Sequence, residues 1–261
     1  MKIKTPINSE QTRRIGRREN MDESTWEGFR RLDFKFQGRD AVLICPDQME
    51  EKGRWAIYSE YFWAFPNTAI ALLRCGYHLA YLRNQSRWGT DVDQTAKCDF
   101  SDYLETKFNL AHRCVPIGMS CGGLHAVNFA SRHPDRVSVL YLDAPLLNML
   151  SYPMGYGMVK RDETVVRECL DAIGMTESQL ICYREHPIDR LDTLTNHGIP
   201  VFMVYGDSDP IVPYAENGAI LEAHYRHRNA EIQVIGKPGC AHHPHGLENP
   251  EPIVDFIQKH D

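Results

Sequence analysis

The chain predicts an α/β fold with a mostly parallel central sheet flanked by helices, and three observations carry that prediction. Short apolar runs bounded by turn residues alternate with helical patterns, the order expected when helices cross over between parallel strands. The length of 261 residues exceeds the common domain size of about 100 to 150 yet fits one large domain with an insertion. Hydrophobic residues at 43% and charged residues at 25% suffice for a sizeable core, which sets aside disordered and collagen-like chains.

Taken in order, residues 1–28 are polar, carry basic patches at Arg13, Arg14, Arg17 and Arg18, and lack periodicity, so an N-terminal arm is expected there. Strands are expected at RLDFKFQ (31–37), DAVLIC (40–45), YHLAYL (77–82), CVPIGM (114–119), VSVLYLD (137–143), PVFMVYG (200–206) and EIQVI (231–235), each strand-like in pattern and bounded by turn residues. Helices are expected at 59–74, 93–108, 122–133, 214–226 and 249–259. Between 146 and 197 the alternation stops and only helical stretches near 161–173 and 176–184 remain, which reads as a small helical cap. The core is then 29–145 and 198–261. Pro116 falls inside an expected central strand, where its missing N–H predicts a local bulge.

Charge and cysteine usage bound the partners. Lys plus Arg number 29 against 35 Asp plus Glu, a net charge of −6, so no nucleic acid or anionic membrane partner is expected. No apolar run approaches the roughly 18 residues of a membrane helix, and the N-terminus lacks the apolar stretch of a signal peptide, so a cytoplasmic protein is expected. The eight cysteines show no C-x-x-C pair and are read as reduced thiols. Nothing in the sequence indicates an oligomer.

The sharpest chemical signal is Gly118-Met119-Ser120-Cys121-Gly122-Gly123, a G-x-S-x-G between an expected strand and an expected helix. A nucleophile on so tight a turn takes strained backbone angles and needs nearly side-chain-free neighbours, which Gly118 and Gly122 supply. At a helix N-terminus Ser120 would also lie beside free N–H groups able to hold an oxyanion, that of Cys121 first among them. A serine nucleophile requires a base and an orienting acid from later turns. Two turns carry those types: Asp207-Ser208-Asp209 after PVFMVYG, and Cys240-Ala241-His242-His243-Pro244-His245 after EIQVI.

With these three motifs in this order, the sequence resembles the α/β-hydrolase superfamily over about residues 36–258. The resemblance is closer to a group of largely uncharacterised bacterial hydrolases, through Cys45-Pro46, Asp143-Ala144-Pro145, Pro187-Ile188-Asp189-Arg190-Leu191 and Gly239-Cys240-Ala241-His242-His243-Pro244-His245-Gly246-Leu247. It implies Ser120 as nucleophile, Asp209 as acid, ahead of Asp207 and Asp143, and His242 as base, ahead of His243. The His-Gly that usually follows the oxyanion strand is absent. A second oxyanion donor is expected after DAVLIC, near Asp47, Gln48 or Met49.

No cofactor is expected, and no metal site, because Pro244 breaks any helix that would align the three histidines and no H-E-x-x-H is present. The expected activity is hydrolysis of a small or medium ester, a short acyl group on a polar or aryl alcohol, through an acyl-enzyme. Arg54, Trp55, Trp88 and Tyr152 are the candidate substrate-binding residues, with Arg87, Met154, Tyr156 and Met158 nearby. The stretch 159–172, VKRDETVVRECLDA, is too charged for a lipid-docking face, and Ser at the elbow excludes a dehalogenase. Amide or carbon-carbon hydrolysis, acyl transfer on the same triad, and small-molecule binding without turnover are the alternatives.

Overall fold

The computed structural model describes residues 21–48 and 53–261. Its strands are β1 (Asp22–Trp26), β2 (Phe29–Phe36), β3 (Arg39–Cys45), β4 (Trp55–Tyr58), β5 (His78–Leu82), β6 (Val115–Met119), β7 (Leu140–Asp143), β8 (Val201–Gly206) and β9 (Ile232–Lys237). They form one sheet in the order β1-β2-β3-β5-β4-β6-β7-β8-β9. The first three are antiparallel to their neighbours, and every pairing from β5 across to β9 is parallel. All strands from β4 to β9 therefore end on the same side of the sheet, where α/β proteins gather their chemistry.

Side-chain alternation sorts the core into two layers. Leu43, Ile57 and Leu140 face helices α2 (Asp91–Phe108), α3 (Gly122–Arg132) and α7 (Gly218–His227), through Phe100, Phe129 and Leu221. Ile44, Ala56 and Phe202 face α1 (Asn67–Arg74) and α8 (Glu251–His260), through Leu72 and Phe256. A third cluster joins Trp88 and Leu124 to α4 (Glu163–Ile173) and α5 (Glu177–Cys182) through Val166, Cys169 and Leu180. Both of these short helices are capped by their own sequence. Asp162 accepts the N–H groups of Thr164 and Val165, and Thr176 with Gln179 makes a reciprocal box. Leu191 and Leu194 of α6 (Leu191–Asn196), within the expected cap 146–197, pack in the layer of α2 and α3 instead.

The structure differs from expectation in several places, among them a later start of the expected helix 214–226, at Gly218, and of the expected strand 137–143, at Leu140. Residues 1–20 of the expected arm lie outside the described residues, while Asp22–Trp26 at its end is a strand that extends the sheet by pairing with β2. The expected helix 59–74 begins only at Asn67, because Pro66 stands at its N-cap and the chain before it makes turns with Tyr61 and Phe65 at positive φ. β4, four residues long and buried throughout, was not expected at all. Pro116 pairs in step with Ile57 of β4. On the other side Cys114 bridges Val137 while Ile117 pairs with Tyr141, so the extra residue sits before β7, opposite the proline. Among the described residues no helix is long and apolar enough to cross a membrane.

Candidate active site

β6 delivers the chain to Ser120, whose φ is +51°. That left-handed value is strained for a residue with a Cβ, and three backbone bonds hold it. The Ser120 N–H donates to Asp143 O at 3.0 Å, and its carbonyl accepts from the N–H groups of Gly123 at 2.8 Å and Leu146 at 2.9 Å. A Cβ on Gly118 would stand 2.8 Å from the Ala126 Cβ, and one on Gly123 2.6 Å from the Pro145 Cβ. Gly122, expected as the second indispensable glycine, has more room: its nearest neighbour would be the Glu60 Cβ at 3.4 Å.

The serine hydroxyl lies 2.9 Å from His242 Nε2, and His242 Nδ1 lies 2.6 Å from Asp209 Oδ2. Asp209 follows β8, and its other oxygen accepts the N–H groups of Ile211 at 2.8 Å and Val212 at 2.9 Å. Burial alone would raise its pKa. The hydrogen bond from His242 and those two amides outweigh that and hold the carboxyl below its ordinary range. The loop carrying His242 is fastened by Lys237, whose ammonium donates to the carbonyls of Pro244 and Gly246. Asp207 serves the turn instead, accepting the Gly239 N–H at 2.8 Å.

Asp143, the third candidate acid, is engaged by a different histidine. Its Oδ1 lies 2.7 Å from His245 Nδ1, and its Oδ2 accepts from Gly246 N–H and from the Tyr141 hydroxyl. His243 is exposed and stacks on Phe65, with ring centroids 5.6 Å apart. Ser120 and the three histidines open on a cavity of about 270 Å³, whose other walls include Tyr61, Phe65, Tyr152, Ile211 and Arg87.

The expected second oxyanion donors are misplaced. β3 runs antiparallel to β5, which is parallel to β4 and, through it, to β6. Asp47 and Gln48 follow β3, so they lie at the opposite end of the strands from Ser120, and Met49 lies outside the described residues. The strand beside β6 is β4, and the turn after it carries Ser59, Glu60 and Tyr61. Tyr61 lines the cavity at a φ of +54°. Sequence reasoning missed it because β4 was missed. The signal available was the short run Trp55-Ala56-Ile57-Tyr58 ahead of Ser59.

Of the expected substrate contacts, Tyr152 lines the cavity. Trp55 does not: it is 1% exposed within β4, and its indole N–H donates to the Ala111 carbonyl at 2.8 Å. Arg54 precedes β4 at the far end of the sheet, with its guanidinium over the Tyr77 ring. Trp88 is buried behind Tyr152, stacked on it at 6.2 Å, and donates to Glu168. Arg87 reaches the cavity wall while making a two-pronged pair with Glu168. Met154 is buried, Met158 is exposed, and the Tyr156 hydroxyl is bonded to Glu177. The Cys121 thiol is buried among Trp88 and Leu124. Burial, offset only partly by Tyr61 and Arg87, pushes it up to about 11, which keeps it in the thiol form at neutral pH.

No family model matches the sequence. The structure is similar to an S-formylglutathione hydrolase from Agrobacterium tumefaciens, with a TM-score of 0.63 and 12% identity over 92% of this chain and 96% of that one. It is similar to Est1E from Butyrivibrio proteoclasticus at a TM-score of 0.56, with 16% identity and the same two coverages. A puromycin-hydrolyzing peptidase from Mycobacterium tuberculosis matches at a TM-score of 0.63 and 12% identity over 92% of this chain. The chain spans 38% of the length of that peptidase. With a serine elbow after β6, an aspartate after β8 and a histidine after β9, on a sheet whose strands cross over as they do here, the chain has the α/β-hydrolase fold.

Proposed function

We propose that the protein is a serine hydrolase that cleaves small carboxylic esters through an acyl-enzyme. The observation that carries this reading is the continuous path from Ser120 Oγ through His242 to Asp209, at 2.9 and 2.6 Å, ending on the wall of a cavity. Asp209 accepts a hydrogen bond from His242 Nδ1–H, which keeps that proton on Nδ1 and leaves the lone pair of Nε2 facing the serine. As Ser120 Oγ attacks the ester carbonyl, Nε2 takes its proton and then passes it to the departing alcohol. Water repeats the cycle in reverse and releases the acid.

The oxyanion that forms needs donors in place beforehand. The N–H of Cys121, at the start of α3, has no acceptor among the described residues, and the same holds for the N–H of Tyr61. Both residues line the cavity, so we assign them the two donor positions. Tyr152, Tyr61, Phe65 and Ile211 give the cavity flat apolar walls, suited to a short acyl group on a polar or aryl alcohol. At about 270 Å³ it falls below the roughly 300 to 1,000 Å³ usual for drug-sized ligands.

A fluorophosphonate probe followed by peptide mapping tests the mechanism, and a panel of p-nitrophenyl esters from acetyl to decanoyl tests the substrate. Labelling at Ser120 is expected, with kcat/KM falling steeply beyond about six carbons as the acyl pocket fills. Absence of labelling between neutral and mildly alkaline pH would favour a binding protein without turnover. A matched anilide in the panel separates ester from amide preference, since one triad serves both.

A further inference from the structure

The expectation of no metal site rested on helical ligand spacing, which Pro244 forbids. The loop achieves by folding what a helix would achieve by spacing. The rings of His242, His243 and His245 stand 4.8, 5.0 and 4.9 Å from one another, centroid to centroid. One nitrogen from each lies within 4.8 Å of the other two. His242 and His245 each have Nδ1 on a buried carboxylate, Asp209 and Asp143. In the neutral ring that bond keeps the proton on Nδ1 and leaves Nε2 as a lone-pair donor. A carboxylate behind an imidazole is also the arrangement that orients histidine ligands in zinc proteins. His243, exposed at the rim, is the third imidazole.

From this geometry we infer that His242, His243 and His245 form a binding site for a divalent transition metal, and that the ion, once bound, switches the active site off. Three imidazoles favour Zn²⁺, Cu²⁺ or Ni²⁺ over the oxygen-seeking Mg²⁺ and Ca²⁺. Nitrogens about 2.0 to 2.1 Å from a tetrahedral ion stand roughly 3.3 Å apart, so the cluster must contract at every pair: the exposed His243 by shifting on Phe65, and His242 and His245 by closing toward each other. The cavity leaves the fourth position to water. The ion takes the Nε2 lone pair of His242, the pair that receives the Ser120 proton, so metal binding and proton transfer exclude each other. This inhibitory consequence rests on the proposed triad, whereas the binding site does not.

The test is calorimetric titration of Zn²⁺ into chelator-treated wild type and Ser120→Ala, alongside ester turnover measured with and without Zn²⁺. One ion per chain is expected for both proteins. Affinity should fall by about tenfold or more in His243→Ala and in His245→Ala. Wild-type turnover should fall with the same midpoint as binding and return on adding chelator. His243 is at the surface, so its variant keeps the test decisive should loss of the buried His245 unfold the chain. Binding that is absent at submillimolar Zn²⁺, or undiminished in His243→Ala, overturns the site. Zinc bound with His243 dependence, in a protein that the fluorophosphonate fails to label, upholds the site and defeats the triad.

Discussion

Ser120, His242 and Asp209 are coupled through two hydrogen bonds, so their removal should not be additive. Ser120→Ala and His242→Ala should each lower kcat by about 10⁶, and Asp209→Asn by about 10⁴, because loss of the orienting acid leaves nucleophile and base in place. Steady-state kinetics on an ester, with circular dichroism to verify folding, checks all three. His243→Ala should retain turnover far above either of the first two, since His243 makes no hydrogen bond to Ser120 or Asp209, and an inactive His243→Ala with an active His242→Ala would reverse the assignment. Asp209 also carries a stability signature. Its carboxyl is held below 3.8 in the folded chain, so its contribution is complete above that value and is lost as pH falls through the lower folded one. The stability difference between wild type and Asp209→Asn, measured by urea unfolding, should therefore shrink as pH is lowered from about 5 to about 2.

At the scale of elements, the elbow and the oxyanion turn, the turn after β4 to which we assign a donor, are held by different means. The elbow depends on space: with Pro145 2.6 Å from any Cβ at residue 123, Gly123→Ala should destabilise the fold by about 1 to 3 kcal/mol through overpacking. Thermal unfolding reads this directly, and Gly122→Ala, with 3.4 Å of clearance, should cost less. The oxyanion turn depends on a side chain. Asn84, just after β5, donates to the Ser59 carbonyl at 2.6 Å and to the Glu60 carboxylate. Asn84→Ala should lower kcat by about 10- to 100-fold with a smaller change in KM, because donors that meet charge only in the transition state act on kcat. Equal losses in kcat and stability-corrected folded fraction would reduce Asn84 to a structural role. This contrast explains what the sequence made legible. The elbow and the Asp209 and His242 turns follow strands of five or more residues with adjacent turn chemistry, and a local pattern suffices to find them. β4 is four residues, buried on both faces and out of sequence order in the sheet, so no periodicity marks it. With β4 unseen, Asp47 and Gln48 were the nearest residues after a visible strand, and Trp55 read as a loop aromatic. The third dimension also decided Trp88, which a loop position alone makes as plausible a ligand platform as Tyr152.

Across the whole molecule, the oxyanion turn connects to a charge buried between layers. Lys97 of α2 is 1% exposed. Its ammonium donates to Asn84 and lies 3.3 Å from His125 Nδ1, on the helix that starts at the elbow. Asp93, in α2 with Lys97, is itself paired with Arg39 of β3 at 2.5 Å. Burial outweighs the attraction of Asp93 and Glu60 and pushes the Lys97 ammonium down to about 8, from an ordinary 10.5. Between those values the unfolded chain holds a proton that the folded chain has released, so this residue's contribution to stability rises with pH across the window and is level below it. The full interval corresponds to about 3 kcal/mol. Buried tyrosines such as Tyr58 and Tyr141 and buried thiols such as Cys114 titrate in the opposite sense, because burial raises them. Total stability against pH therefore does not isolate Lys97, but a difference does. Lys97→Met keeps the bulk and removes the titration, while the tyrosines and thiols are common to both proteins and cancel. Urea midpoints of wild type and Lys97→Met, taken in steps from about pH 7 to about pH 10.5, should diverge in favour of wild type only above about pH 8. A constant difference across that range would mean that Lys97 stays protonated in the folded chain. The ammonium would then tie α2, α3 and the oxyanion turn together as a fixed charge, and turnover in Lys97→Met should fall to the level of Asn84→Ala at every pH.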